Sequence, residues 1–341
     1  AARLRAGAGL IVLDGSKSEC NWRRDPASPV PGLVPIERMP LAVRSDWVHN
    51  SNDSFAYTHP QLRFEGISPL VGDGVIRQMR TRAGLQQVPE LAAAGPVTLQ
   101  AIQRQLFTNR NFAAELVLPD LLAACTGNAG NPGAPTAEAR EGCAVLRNWD
   151  RKSDLASRGA HLFREFWRLA MQLPRVWRVP FDRARVVDTP NGLNFADAET
   201  AAKLWEALDG AVKKVKAAGF ALDAPLADVQ RPAITDEPIA LHGGQSWEGV
   251  LNYLGDNGSP GIGPKGLRID YGTSYVQTVT FDARGPVAEA LLTYGQSTDP
   301  ASPHATDQLR LYSRKAWPRL PFHAEDVERE RVGPVLRLVL R

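Results

Sequence analysis

The sequence predicts one α/β domain of the α+β type, with strands at both ends of the chain and helices in the middle. At 341 residues, of which 43% are hydrophobic, the chain is long enough to bury a large core. Apolar and polar residues alternate in several segments of residues 1–60 and 239–341, whereas helical spacing dominates residues 90–235. Early and late strands are therefore expected to share one sheet, and residues 1–341 are expected to contain no separate second domain.

The predicted elements follow from the spacing of apolar residues. Three helices are predicted, each with one apolar face: 98–107 (Leu99, Ile102, Leu106), 153–171 (Leu155, Leu162, Phe166, Leu169) and 198–219 (Leu204, Leu208, Val212, Val215). Strands are predicted at GLIVL (9–13), DWVHN (46–50), FAYTH (55–59), IALHG (239–243), SYVQTVTF (274–281), AEALLTYG (288–295) and PVLRLVLR (334–341).

The charge balance argues against nucleic acid or a membrane surface as a partner. Forty basic and 37 acidic residues give a formal net charge of +3, so no strong field of one sign is expected. No apolar run approaches the roughly 18 residues of a membrane span, and the N-terminus lacks the pattern of a signal peptide. The chain begins at Ala1 only a few residues before a predicted strand, which suggests a piece cut from a longer precursor.

Two of the three cysteines are placed to form a disulfide. Cys125 and Cys143 bracket a stretch rich in glycine, proline and small residues, which such a bond could close into an ordered loop. The alternative is two free buried thiols. A disulfide would indicate an oxidising compartment, which for a bacterial protein means a periplasmic or secreted location. Cys20 is left over and is interpreted as a packed small residue.

Several known catalytic and binding motifs are either absent or lack the flanking structure that they need. GIGPKG (261–266) has the glycine spacing of a dinucleotide loop, but no strand leads into it and Pro264 stands where a helix should open. The six histidines show no metal-ligand spacing, so no metal site and no cofactor are predicted. No G-x-S-x-G elbow occurs, and a serine-histidine-aspartate triad within this chain has no support.

A cluster of polar residues follows an apolar pair in WVHNSNDSF (47–55). An asparagine that points its side-chain NH₂ into a cleft offers a neutral, fixed donor, which is what an oxyanion hole for acyl transfer needs. The alternative is that Asn50 to Ser54 form an Asx or Ser turn at the end of a strand. The residues themselves leave both interpretations open.

Longer blocks of sequence resemble the penicillin acylase family of N-terminal nucleophile hydrolases, and within it the acyl-homoserine lactone acylases most. The similar blocks cover essentially the whole chain in order: VLDGSKSECNWRRDP (12–26), PGLVPIERMP (31–40), DWVHNSNDSFAYTHPQLRFEGISPLVG (46–72), CAVLRNWDRKSDLASRGAHLFREFW (143–167), LHGGQSWEGVLNYL (241–254) and YGQSTDPASPHATDQLRLYSRKAWPRLPF (294–322). The resemblance implies the four-layer αββα sandwich of that superfamily, and the helical middle of this chain is interpreted as an insertion in the α/β unit.

The resemblance also implies a covalent mechanism. In this family a precursor cuts itself into two chains, and the larger, β, chain then begins with a nucleophilic serine whose own α-amine is the base. Asn52 falls on the asparagine of the oxyanion hole, and Arg80 falls on the arginine that orients this asparagine and the amine. Arg77 and Arg82 are rivals for the second role. His242 and His304 lie in similar blocks and are interpreted as structural.

The chain corresponds to the C-terminal part of the β subunit, so the nucleophile is expected outside it. The expected partners are the rest of the precursor, which carries the serine, and a small-molecule acyl amide. The expected reaction is hydrolysis of N-acyl-homoserine lactones to a fatty acid and homoserine lactone, which quenches quorum signals. Acylases of β-lactams (penicillins, cephalosporins) or lipopeptides are the alternatives, and a non-catalytic module that retains the fold is the alternative of a different class. Some penicillin acylases bind calcium, but no residue pattern here supports a calcium site.

Overall fold

The computed structural model describes residues 14–22, 24–53, 57–62, 64, 78–127, 135–182, 184–256 and 260–339. Nine helices are found in these ranges: α1 (Met79–Ala93), α2 (Leu99–Leu106), α3 (Phe112–Cys125), α4 (Ala137–Asn148), α5 (Ala160–Ala170), α6 (Ala198–Ala217), α7 (Leu226–Val229), α8 (Asp307–Ser313) and α9 (Ala324–Glu330). Short 3₁₀ turns cover Ser18–Cys20, Ile36–Arg38, Ser246–Glu248 and Pro303–Ala305. None of the helices in the described ranges is long and apolar enough to span a membrane.

Side-chain caps begin the helices of the middle region. Thr98, Asn111, Thr136 and Asp197 each accept a hydrogen bond from the backbone N–H three residues on, which satisfies one of the free donors of the first turn. Helices α3 to α6 then pack around the larger of two apolar clusters. The smaller cluster lies beneath the late strands and includes Phe107 and Tyr312.

Two helix predictions are confirmed and the third is partly wrong. The helix predicted over 98–107 spans Leu99–Leu106, and that over 198–219 spans Ala198–Ala217 with its four predicted core residues fully buried. The helix predicted over 153–171 begins only at Ala160, because residues 153–158 form a turn in which Leu155 N donates to Asp154 Oδ1. Leu169 is 47% exposed, so it is not a core residue.

The main sheet is an antiparallel hairpin with a short third strand. Strands β7 (Tyr275–Asp282) and β8 (Gly285–Leu292) pair along their full length, and β9 (Arg319–Leu320) adds to β8. The other described strands form three two-stranded pairs: β1 (Trp177–Val179) with β2 (Asn191–Leu193), β3 (Gln230–Pro232) with β5 (Leu267–Ile269), and β4 (Leu254–Gly255) with β6 (Tyr271–Gly272). The mixture of helices and strands is an α+β fold, and the four-layer sandwich stays a prediction.

The hairpin confirms the strand predicted over 274–281 and most of the strand predicted over 288–295. Three other strand predictions are wrong. Residues 46–50, 239–243 and 334–339 form no strand. Their alternating residues suit a sheet, yet the described part of the chain offers them no partner strand, and a strand exists only through its pairing. Residues 9–13 lie outside the described residues, as do 55 and 56 of the strand predicted at 55–59. No sheet shared by early and late strands is therefore present in the described ranges.

The predicted disulfide is confirmed. Cys125, at the end of α3, is bonded to Cys143 in α4, with their Cα atoms 6.2 Å apart. The bond joins two helices of the larger apolar cluster. Cys20 is free and partly exposed, rather than packed as predicted.

Candidate active site

The polar cluster after Trp47 and Val48 forms a tight turn. Asn50 Oδ1 accepts a hydrogen bond from Asn52 N at 2.8 Å, which is the geometry of an Asx turn. Asn52 has φ +59°, in the left-handed region that asparagine tolerates better than most residues. The turn interpretation is therefore correct, and the same turn leaves the Asn52 side chain exposed.

Arg80 determines which way the Asn52 amide faces. It is the second residue of α1, and its Nη2 donates to Asn52 Oδ1 at 2.9 Å and to Ser51 O at 3.2 Å. Because a guanidinium has only donors, the atom of Asn52 that faces it must be the oxygen. Asn52 Nδ2 points the other way, and within the described part of the chain it donates to no acceptor. The arrangement is that of a fixed, neutral, unused N–H donor.

The rival Arg82 is occupied elsewhere. It is buried, its guanidinium donates to Val187 O and Pro190 O, and it lies over the Phe112 ring. Burial lowers the pKa of Arg82 to about 10, so it remains a cation at neutral pH. It makes no contact with Asn52. The other rival, Arg77, lies outside the described residues. The sequence assignment of Arg80 thus matches the described geometry, while the catalytic roles of Asn52 and Arg80 stay predictions.

Two polar residues that the sequence analysis missed complete the surroundings of Arg80. Gln78 Oε1 accepts from Arg80 Nη2 at 3.2 Å, and Ser246 Oγ accepts from Arg80 Nε at 3.4 Å. Ser246 Oγ in turn donates to Gln78 Oε1 at 2.7 Å. Ser246 could have been suspected from the sequence, because it lies in LHGGQSWEGVLNYL, one of the blocks that resemble the penicillin acylase family.

A buried ion pair fixes the turn that carries Ser246. Glu248 Oε2 accepts from Arg164 Nε at 2.9 Å and from Gln245 N at 2.7 Å, and its Oε1 accepts from Asn111 Nδ2 at 3.0 Å. Glu248 and Arg164 are fully buried. The turn Ser246–Glu248 also contacts α1 and α3. The buried contacts of Glu248 therefore fix the position of Ser246, which belongs to the same turn.

The asparagine turn is tied to α1 at two further points. Asp53 Oδ2 accepts from Thr81 Oγ1 at 2.8 Å and from Gln78 N at 3.3 Å, at the N-terminus of α1, where a negative charge is favoured. His49 Nε2 lies 2.8 Å from Ser51 Oγ. Burial, with a smaller contribution from the charge of Arg80, lowers the pKa of His49 to about 4, so this imidazole is neutral at neutral pH.

Two cavities meet at Gln78. The polar one, of about 750 Å³, is bounded by Asn52, Arg80 and Ser246, by Tyr253, and by residues of β6 and β7, including Tyr271. The apolar one, of about 560 Å³, is lined by aromatic and aliphatic side chains that include Trp167, Trp177 and Trp247. Both volumes lie in the range of small-molecule sites. Asn52 thus lines a cavity large enough for a substrate.

The described residues hold no group of three or more histidine, cysteine, aspartate or glutamate side chains that could bind a metal ion. His242 is buried, with Nε2 2.9 Å from Tyr312 O, and His304 pairs with Asp307 on the surface. Neither lies in the polar cavity, in agreement with the structural interpretation. That the protein needs no metal and no cofactor stays a prediction from the sequence.

Comparisons with known proteins agree on one family. The penicillin amidase family model matches residues 2–329. The acyl-homoserine lactone acylase PvdQ of Pseudomonas syringae pv. syringae (strain B728a) is 36% identical over 327 residues, which are 95% of this chain and 41% of that protein. Aculeacin-A acylase of Actinoplanes utahensis is 33% identical over 337 residues, which are 94% of this chain and 40% of that protein.

A thermostable penicillin G acylase from Alcaligenes faecalis is a structural neighbour, with a TM-score of 0.45 and 16% identity, over 86% of this chain and 56% of that one. The chain spans about two fifths of the length of the curated relatives, 41% for the PvdQ protein. The family match over residues 2–329 covers nearly the whole chain. On these matches, the chain belongs to the penicillin amidase family.

Proposed function

We propose that this chain is the oxyanion-hole part of an acylase that hydrolyses the amide of N-acyl-homoserine lactones. The observation that carries the proposal is the hydrogen bond from Arg80 Nη2 to Asn52 Oδ1. It orients a neutral N–H donor toward a polar cavity, and such a donor stabilises negative charge that develops on a scissile carbonyl oxygen.

The proposed reaction needs a serine from the part of the precursor outside this chain. The serine hydroxyl attacks the amide carbonyl as its proton passes to the serine's own α-amine, and the carbonyl oxygen becomes an oxyanion. Asn52 Nδ2 donates to that oxyanion. The C–N bond then breaks, the amine leaves with the proton, and the acyl group stays on the serine. Water then attacks the ester as its proton passes to the α-amine, and a second oxyanion forms. When this oxyanion collapses, the C–O bond to the serine breaks, the proton returns to the serine oxygen, and the fatty acid leaves.

The substrate class rests on the relatives. Those named acyl-homoserine lactone acylase PvdQ match 93 to 95% of this chain at 34 to 36% identity. A second candidate, removal of an acyl chain from a lipopeptide, is favoured by the match to aculeacin-A acylase and by a polar cavity of about 750 Å³, which has room for a large amine. Periplasmic or secreted location is part of the proposal, since the Cys125–Cys143 disulfide requires an oxidising compartment.

The test uses the full precursor with a panel of substrates. Acyl-homoserine lactones of several chain lengths, an acylated lipopeptide and penicillin G are incubated with the enzyme, and mass spectrometry identifies the products. Release of homoserine lactone and a fatty acid is expected. Opening of the lactone ring with the amide intact would contradict the proposal, and selective release of a lipopeptide core would favour the second candidate. N-terminal sequencing should find a companion chain that begins with serine, and its absence would favour a non-catalytic module.

A further inference from the structure

Arg80 is a partly buried cation, and its hydrogen bonds and ring contact with the described residues all involve neutral groups. Its guanidinium donates to a backbone carbonyl, to two amide oxygens and to a hydroxyl, and it lies 5.4 Å from the centre of the Tyr253 ring. In the described part of the chain no carboxylate lies within ion-pair distance of it. Arg110 and Arg164 differ, since Arg110 is paired with Glu115 and Glu90, and Arg164 with Glu248. Buried Arg82 resembles Arg80 in donating to neutral carbonyls, but it does so away from the polar cavity. Among the described residues, the positive charge of Arg80 therefore has no directly paired carboxylate.

Gln78 is the centre of the neutral contacts. Its Oε1 accepts from both Arg80 Nη2 and Ser246 Oγ, so the side-chain amide can face only one way. Its Nε2 then lies 3.5 Å from Asn52 O, on the turn that carries the oxyanion donor. Ser246 is in turn fixed by the buried Glu248 of the same 3₁₀ turn. The orientation of Arg80 is thus set through neutral side chains that a buried ion pair holds in place.

The other ionisable groups near Arg80 do not cancel its charge. Asp53 favours the charged form of Arg80 without pairing with it directly, and its Oδ2 accepts from Gln78 N and Thr81 Oγ1 at the N-terminus of α1. His49 is neutral at neutral pH, since burial lowers its pKa to about 4. Burial raises the pKa of Tyr253, which stays a neutral phenol. Glu248 forms an ion pair with Arg164 and not with Arg80.

We propose that Gln78 is a positioning residue which, with Ser246, holds Arg80 through neutral acceptors and leaves its positive charge free to act on the reacting atoms. This inference rests on the proposed function. The charge would add to the stabilisation of the oxyanion, and it would disfavour the protonated form of the serine α-amine, which keeps that amine a base at neutral pH. Glutamate at position 78 could accept the same two hydrogen bonds, but it would neutralise the charge.

Isosteric charge substitution tests this. The two chains of the complete enzyme are expressed as separate polypeptides, so that no variant depends on self-cleavage, and kcat/KM for an acyl-homoserine lactone is measured against pH. Gln78→Glu keeps the acceptor and should lower kcat/KM at pH 7 on the order of 10- to 100-fold, because it cancels a nearby charge. The acid limb of the profile should also move up by roughly 0.5 to 1 pH unit, since a carboxylate near the α-amine raises its pKa.

Two further variants separate charge from shape. Gln78→Met removes every hydrogen bond of the Gln78 side chain but no charge, so kcat should fall about tenfold while the acid limb stays in place. Gln100→Glu makes the same charge change at an exposed position of α2 and should leave the profile unchanged.

If the acid limb of the kcat/KM profile does not move in Gln78→Glu, the inference is overturned, whether the rate is normal or is reduced as in Gln78→Met. Hydrogen-bond geometry at position 78, and not charge, would then control the rate. The proposed function fails in a different way. If the wild-type enzyme hydrolyses no acyl amide, the function and this inference fall together, whereas an active wild type with an unmoved limb overturns this inference alone.

Discussion

Removal of the Glu248 carboxylate should strongly destabilise the enzyme. In Glu248→Ala, Arg164 loses its ionic partner while fully buried, and the N–H donors of Asn111 and Gln245 lose their acceptor. Breaking a buried ion pair on one side costs about 3–5 kcal/mol, chiefly because the remaining charge is left uncompensated. The free energy of unfolding should therefore fall by about that amount. Urea unfolding of the processed enzyme, followed by tryptophan fluorescence, measures it.

The double variant Arg164→Met/Glu248→Leu provides the decisive comparison. It removes both charges, so it should cost less than Glu248→Ala alone, as expected for a coupled pair. Glu199→Ala, which breaks exposed ion pairs with Arg175 and Lys203, is the matched control and should cost less than about 1 kcal/mol. A loss below about 1 kcal/mol for Glu248→Ala would refute the view that this pair anchors the turn of Ser246.

Three more predictions concern stability and the asparagine turn. Reduction of the Cys125–Cys143 bond, with a sequence separation of 18, should lower the free energy of unfolding by about 3 kcal/mol, read from the urea midpoint with and without reductant. His161 is fully buried, and burial lowers its pKa to about 4, so the unfolded chain binds more protons. His161 alone should therefore remove on the order of 3 kcal/mol of stability as pH drops from about 6.5 to 4. Because burial also lowers the pKa of His49 and His242 to about 4, urea unfolding at each pH should show a fall of at least that size. Gly84→Ala would place its Cβ 1.9 Å from His49 Nε2, so that ring must move away from the asparagine turn, and kcat should fall about tenfold in the hydrolysis assay.

Each of these three predictions has a control or an outcome that would contradict it. Reductant should not change the urea midpoint of a Cys125→Ser/Cys143→Ser variant, and an unchanged midpoint in the wild type would remove the bond's stabilising role. A rise in stability from pH 6.5 to 4 would have the wrong sign for a buried neutral histidine. Gly210→Ala, also within a helix but with its nearest neighbour at 3.5 Å, should keep full activity. Equal activity of the two glycine variants would mean that His49 does not support the turn.

Helices could be predicted from the sequence where their signals are local. The faces of Leu99–Leu106 and Ala198–Ala217 repeat at helical spacing behind residues that cap the first turn, so both the type and the bounds of these helices followed. The start of α5 did not follow, since Asp154 and Ser157 bind nearby backbone groups and form a turn in residues whose apolar spacing suited a helix.

Strands were less predictable because their signal lies partly in another segment. The hairpin Tyr275–Asp282 with Gly285–Leu292 could be predicted, since both partners are adjacent in the chain. Residues 46–50 and 239–243 have equally apolar sequences, but nothing local says whether a partner strand lies beside them. The predicted sheet therefore overstated what the described residues form.

At the candidate site, residue chemistry alone could not choose between a turn and a donor for Asn52. The structure shows that the turn and the exposed amide occur together, so the two interpretations were not exclusive. Gln78 and Ser246 were missed for a physical reason: their hydrogen bond joins residues 168 positions apart, and neither has a local pattern that indicates it. Arg80 was identified from the resemblance, not from its spacing.

The most direct test of the central claim is the turnover of Asn52→Ala. In the complete enzyme, loss of this oxyanion donor should lower kcat for an acyl-homoserine lactone on the order of 10²- to 10³-fold. The free energy of unfolding should fall by only about 1 kcal/mol, because the side chain is exposed and alanine is merely less favourable than asparagine at φ +59°. Asn148→Ala, at another exposed asparagine, should turn over normally. A kcat for Asn52→Ala within about twofold of the wild type would contradict the claim and leave Asn52 as a turn residue only.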